Sequence, residues 1–308
     1  MKFNANISSA EFSRQLLLIA FASEVEIIQF LGQQGSDEEV ANIGKLLATW
    51  DSLQDRVKRI LQEEENLPET ILSREIPVQY NSMVEKYLND NSIRKTFPDG
   101  VECAMVEIDK IISLQRTMDE DYTNLLQERW AGNLGFENIL EICLSAKNDK
   151  SELKHLVYSP DHHVFSSPNS DLRYLGSYFK KIEDNDLEYS GGGVPVAAII
   201  SFVGYGVQPV SVYKVGKRFI LNNGFHRVYA LRSLGIKEIP VLVKKVHNSK
   251  INFPNNFLGF PKEYILDSPR PTLMKDFFEP GFVVPIHCKK RVKIIEVRSN
   301  GNSLEVPL

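Results

Sequence analysis

Between Phe219 and Val243 the sequence runs FILNNGFHRVYALRSLGIKEIPVLV. An apolar run, an Asn-Asn-Gly turn, an amphipathic stretch ending at Gly235 and a second apolar run leave few ways to fold. The spacing predicts a strand at 218–221, a helix from about His226 to Gly235, and a strand in EIPVLVKKV. Just upstream, QPVSVYKV and KRFIL read as two strands joined through Gly216, a hairpin. This order places a base, His226, and a cation, Arg227, on the first turn of a helix. The first N–H groups of a helix lack intrahelical partners, and the helix dipole adds partial positive charge there. An anion is therefore stabilised at such a turn. Gly224 lets the backbone approach closely or take a positive φ. Arg227 supplies a two-pronged clamp and His226 a further donor. Spacing alone leaves two readings open: a phosphate site, or a helix whose His226 caps it or fills the core.

Bulk properties bound the rest. The 308 residues suffice for one large domain or two ordinary ones. At 43% apolar and 25% charged, the composition is that of a soluble globular protein. No run of about 18 apolar residues exists, so no membrane span is expected. The first apolar run is bracketed by Glu11 and Arg14 and broken by Glu24 and Glu26, unlike a secretory signal, so a cytoplasmic protein is expected. Cys103, Cys143 and Cys288 stand far apart with no CxxC, which argues against a disulfide framework or a thiolate zinc site. The net charge of −4 hides a gradient: residues 210–308 carry 17 Lys and Arg against 7 Asp and Glu, net +10, and the first 209 residues are net −14. Two readings fit equally: an anionic ligand for the basic third, such as a nucleotide or DNA, or acidic and basic parts that dock on each other.

The pattern divides the chain into a helical N-terminal region (1–97), a mixed αβ domain (98–250) and a loop-rich segment with a β tail (251–308). In the first region SSAEFSRQLLLIAFASEVEIIQFLG predicts one helix ending at Gly32, followed by a helix closed by Pro68 and a shorter one over VQYNSMVEKYLNDNSIRKTF. Their apolar stripes form a bundle core or dock a protein partner. CAMVEI predicts a strand, a helix begins near Asp119, and LGFENILEICLSA is helical. VPVAAIISFVGYG predicts an apolar helix with Pro195 in its first turn. RVKIIEVRSNGNSLEVPL predicts a hairpin around Asn300-Gly301.

Residues 194–243 resemble the N-terminal domain of the ParB/sulfiredoxin superfamily. The features that carry the likeness are Gly206-Val207-Gln208-Pro209, then two strands, then Gly224-Phe225-His226-Arg227, then Gly235 through Pro240-Val241. Members share a helix, a G-x-x-QP step into a strand, a second strand, the glycine turn, a helix and a closing strand. The likeness covers about 50 residues, roughly a sixth of the chain. It implies an α+β fold with a nucleotide-phosphate pocket holding a nucleoside triphosphate, CTP or ATP, with Mg²⁺. Gly224, His226 and Arg227 would contact phosphate, with Asn222 and Asn223 where other members carry an acid. Residues 106–126, VEIDKIISLQRTMDEDYTNLL, resemble the domain's opening segment. Gln115 and Arg116 would then reach the nucleotide, and Glu120 or Asp121, with His226, would be the catalytic groups. The 132–193 stretch would be an insertion. A rival placement starts the domain at HLVYSPDHHVFSSPNSDLRYLG, with Arg173 in the role of Arg116.

Two departures bear on activity. Sulfiredoxins carry a cysteine before the His-Arg pair, where this chain has Phe225; partition proteins carry Glu-Arg-Arg, where this chain has Phe-His-Arg. The readings are therefore a nucleotide-dependent phosphotransferase, NTPase or nuclease; a DNA-associated regulator switched by nucleotide; or a non-catalytic module on the same fold. Other constellations point less far. His162 and His163 are adjacent and lack an obvious third metal ligand. His287 and Cys288 neighbour each other on a predicted strand, so they face opposite sides. SGGGVP lacks the lysine of a phosphate-binding loop. KKRVK at 289–293 reads as an alternating basic strand.

Overall fold

The computed structural model describes residues 12–146, 152–169, 171–182, 193–206, 209–247 and 259–306. In chain order the elements are β1 (Phe12–Leu18), α1 (Glu24–Gln34), α2 (Asp37–Ala41), α3 (Ile43–Glu63), β2 (Ser73–Arg74), α4 (Asn81–Leu88), α5 (Asn91–Thr96), β3 (Glu102–Glu107), β4 (Thr117–Asp119), α6 (Glu120–Trp130) and α7 (Phe136–Leu144). They continue with β5 (Lys154–Ser159), β6 (His162–Ser167), β7 (Leu172–Lys181), β8 (Ala197–Tyr205), β9 (Ser211–Val215), β10 (Arg218–Asn223), α8 (Phe225–Ser233), β11 (Glu238–Lys245), α9 (Lys262–Asp267), β12 (Val283–Lys289) and β13 (Lys293–Arg298). Helices and strands mix, as in an α+β chain. They form two compact units, residues 1–146 with 208–290, and residues 147–207 with 291–308. The divisions expected at 97/98 and 250/251 thus fall inside the larger unit.

The larger unit is built on a five-stranded sheet of order β10-β9-β11-β3-β2. β9 and β10 form the expected hairpin over Gly216, whose φ is +57°. From β10 the chain crosses through α8 and returns as β11, parallel to β9 and antiparallel to β3. Ile239 through Val243 are all buried, the pattern of a strand covered on both faces. Pro240 sits in this central strand without loss. The Leu242 N–H donates to the Val210 carbonyl, on the β9 side, at 2.9 Å. Alternation puts position 240 on the same side, and β9 pairing begins only at Leu242.

The N-terminal region differs from the single helix expected over 8–32. Phe12–Leu18 is a strand, central in a second sheet of order β12-β1-β4. The helix starts only at Glu24, where Ser23 and Glu26 form a reciprocal capping box. Pairing on both edges of β1 and burial of Leu16, Leu17 and Leu18 outweigh the helical spacing. Leu17, Ile27, Phe30, Leu31 and Ile286 form one core, closed by α3 through Leu46 and Trp50. The Trp50 indole N–H donates to the Ala22 carbonyl at 2.8 Å.

The smaller unit holds a sheet of order β13-β6-β5 and a two-stranded ribbon, β7-β8. Two expectations are corrected here. The segment expected to be a helix, 194–206, contains β8; its β-branched Ile199, Ile200 and Val203 sit in register against β7. The tail does not fold back at Asn300-Gly301. β13 pairs with β6, the Ser299 N–H continues to the Asp161 carbonyl, and residues 299–306 form no strand. KKRVK is likewise no single strand: Lys289 ends β12 and Lys293 opens β13. His287 and Cys288 do face opposite sides of β12, one exposed and one buried.

The stretch expected as an insertion, 132–193, straddles the two units, because α7 buries Ile139, Leu140, Cys143 and Leu144 in the larger unit and residues 147–207 belong to the smaller. The larger unit's own chain is joined across this stretch: the Val210 N–H donates to the Cys143 carbonyl at 2.6 Å. Chain leaving α7 and chain entering β9 therefore lie side by side.

Candidate functional site

The turn between β10 and α8 is as local sequence requires. Gly224 is the N-cap residue of α8, with φ +97°. A Cβ there would lie 2.8 Å from Val210 Cγ2, so conformation and space both demand glycine. No side chain caps the nine-residue helix, and the Val228 N–H makes the first helical bond, to the Gly224 carbonyl at 2.9 Å. Asn222 and Asn223 end β10 at a register shift opposite Ser211, and the Asn222 amide donates to Ser211 Oγ at 3.1 Å.

His226 and Arg227 leave this turn in different directions. The Asp119 N–H donates to His226 Nε2 at 3.1 Å, which makes Nε2 an acceptor and places the imidazole proton on Nδ1. The Tyr122 ring meets it edge to face at 5.3 Å. Burial holds the imidazole below its ordinary pKa; the Asp119 carboxylate opposes this and the Arg227 charge adds to it. His226 is thus neutral and oriented. Arg227 is half-buried and donates from Nη1 to the Ile142 carbonyl at 3.0 Å, at the C-terminal end of α7 where helix carbonyls accumulate negative charge. Beside it the Cys143 thiol is pushed up to about 12 by burial, with Arg227 acting in the opposite direction. It is a buried thiol rather than a nucleophile.

The acidic start of α6 lies against α8. Asp119 caps α6 by accepting from the Tyr122 N–H at 2.9 Å. Glu120 pairs with Arg14 Nε at 2.9 Å, and the Arg14 N–H donates to Asp121 at 3.1 Å. Both expected catalytic carboxylates are therefore tied to β1. Burial, then the Glu120 charge, holds the Tyr229 hydroxyl above its ordinary pKa, which places Tyr229 of α8 near the same acid.

Arg116, expected as a nucleotide contact, is held inside the larger unit. It is only 5% exposed. Its Nε donates to the Phe21 carbonyl at 3.1 Å and its Nη1 to Glu26 at 2.7 Å, and its guanidinium lies 4.0 Å from the Phe260 ring centre. It is an internal cation holding α1 to the core. Gln115 lies in a tight turn whose backbone is bonded to Ser113 Oγ. The rival Arg173 belongs to the smaller unit, paired with Asp171. His163 Nδ1 meets His155 Nε2 at 3.1 Å, and His162 lies 3.8 Å from Glu296. Among the described residues no three His, Cys, Asp or Glu side chains converge on a possible metal position, and no helix is long and apolar enough to cross a membrane.

Sequence reasoning missed Asp119, Tyr122 and the Ile142 carbonyl, the groups that orient His226 and Arg227. A capping aspartate was legible at position 119; its reach to a histidine 107 residues away was not. Comparison with known proteins finds no family model, no curated protein and no solved structure that matches the chain.

Proposed function

We propose that the larger unit is a ParB/sulfiredoxin-like nucleotide-phosphate-binding domain, with phosphate held at the turn from Gly224 to Arg227. The supporting observation is the left-handed Gly224 heading a helix that no side chain caps, with Arg227 on its first turn. The order of elements agrees. With residues 147–207 set aside, α7 leads directly to β9, β10, the glycine turn, α8 and β11. The helix that the resemblance requires before the first strand is then α7, not residues 194–206.

Gly224 would let phosphate approach the backbone, Arg227 would neutralise it, and His226 would offer Nδ1–H while Asp119 fixes its ring. With no convergent ligand set among the described residues, Mg²⁺ would be carried mainly by the phosphates of CTP or ATP and by water. Glu120 would be the carboxylate that serves phosphotransfer or hydrolysis. Its pairing with Arg14 favours a second reading, a module that binds nucleotide without turning it over.

Calorimetry and thermal shift with CTP, ATP, ADP and GTP, each with and without Mg²⁺, separate these readings. A triphosphate should raise the melting temperature. Arg227→Ala should weaken it by roughly 10- to 100-fold, the loss of a charged hydrogen bond. Unchanged affinity in Arg227→Ala would refute the site. Release of inorganic phosphate that disappears in Glu120→Gln would select the enzymatic reading.

A further inference from the structure

The β7-β8 ribbon is unequally protected along its two edges. Among the described residues β8 pairs with β7 and with no other strand. β7 carries Arg173, Lys180 and Lys181, and a bulge between Tyr174 and Gly176. Edge charges and bulges are what keep a strand from accepting another. β8, AAIISFVGY, spans nine residues with no charge, no proline and no bulge. The side chains beside this edge are exposed and apolar: Ile199 at 78%, its cross-strand partner Phe179 at 68%, and Phe202 at 46% on the other face. Two strands alone are marginal in water, and a ribbon apolar on both faces is a surface that expects a cover.

The sequence narrows what that cover is. Residues 183–192, which join the two strands, contain Glu183, Asp184, Asp186 and Glu188. Four carboxylates at that end disfavour burial of the ribbon in a lipid bilayer. Strand addition along β8 demands a partner strand without charge and apolar on both faces, and β8 itself meets that demand. Antiparallel pairing about a two-fold axis at Ser201 sets Ile200 opposite Phe202 of the second copy and Ile199 opposite Val203. No charge opposes a like charge, whereas the same operation on β7 would bring its cations together.

We infer that β8 is the pairing edge of a homodimer, in which two ribbons join into a four-stranded sheet β7-β8-β8-β7. The inference is independent of the phosphate reading, since it uses only residues of the smaller unit. Sedimentation of the full chain at micromolar concentration should give twice the mass of one chain. Ser201→Lys, which sets two cations on the axis, should halve that mass, and Ser177→Lys on β7 should not. Because Ser201→Lys can also disturb the ribbon, Ser201→Cys provides a second measurement. Mild oxidation should link Ser201→Cys chains in pairs across the axis and leave Ser177→Cys chains unlinked. A monomeric native chain, a folded Ser201→Lys dimer, or equal linking of the two cysteine variants overturns the inference, as does a monomer that co-sediments with phosphatidylcholine–phosphatidylserine vesicles.

Discussion

Gly224 concentrates two demands in one residue: a left-handed backbone and a gap that Val210 leaves too small for a methyl group. Gly224→Ala should cost about 1–3 kcal/mol in urea unfolding, the range for a residue forced into such a conformation. His226 sets a pH dependence. Its folded pKa lies below the unfolded value of about 6.5, so below that pH the unfolded chain binds the proton more readily. Its stability contribution is complete above about pH 6.5 and declines as pH falls toward the folded pKa. Glu26 and Glu64 act in a lower window. Burial raises each, but hydrogen bonds and cations outweigh it, so their contribution is lost only below the ordinary carboxylate range. Melting temperatures between pH 7 and 5 should therefore fall less steeply in His226→Gln than in the native protein. Gly224, His226 and Arg227 were legible in sequence because strand, turn and helix are consecutive. The surroundings of Arg116 were not legible because its partner, Glu26, lies 90 residues away.

At the scale of elements, long-range ion pairs attach the later chain to α3. Arg270, 1% exposed, grips Asp276 through two bonds of 3.0 and 2.7 Å and reaches Glu64 at 3.0 Å; Lys275 pairs with the same Glu64. The Leu273 N–H adds a third bond to the fully buried Asp276, at 2.7 Å. Asp276→Ala leaves a guanidinium buried with half its hydrogen bonds, and should lower unfolding stability by about 3–5 kcal/mol, read from the urea midpoint. A helix start was legible where its cap was local and unrivalled, as at Asp119, whereas the Ser23-Glu26 box was passed over for the serines upstream. It was not legible where a partner strand decides: β1 lies between β12 and β4, and β8 lies against β7, yet both read as helices by apolar spacing. Spacing records which side chains are apolar, while the neighbouring backbone decides whether the chain coils or extends.

At the scale of the whole chain, the limits of the two units were not legible, because α7 reads as part of the stretch that follows until its buried face is seen. The Cys143–Val210 bond predicts that the larger unit survives excision. A chain of residues 1–146 joined to 209–290 by a short Gly-Ser linker should melt cooperatively, followed by circular dichroism. Loss of the cooperative transition would show that the larger unit depends on the smaller. The same bond has a consequence for how this chain can change over generations. A loop anchored by neighbouring backbone atoms exerts no pull on the sheet, so residues between those anchors are free to lengthen, shrink or be exchanged while α7 and β9 keep their register.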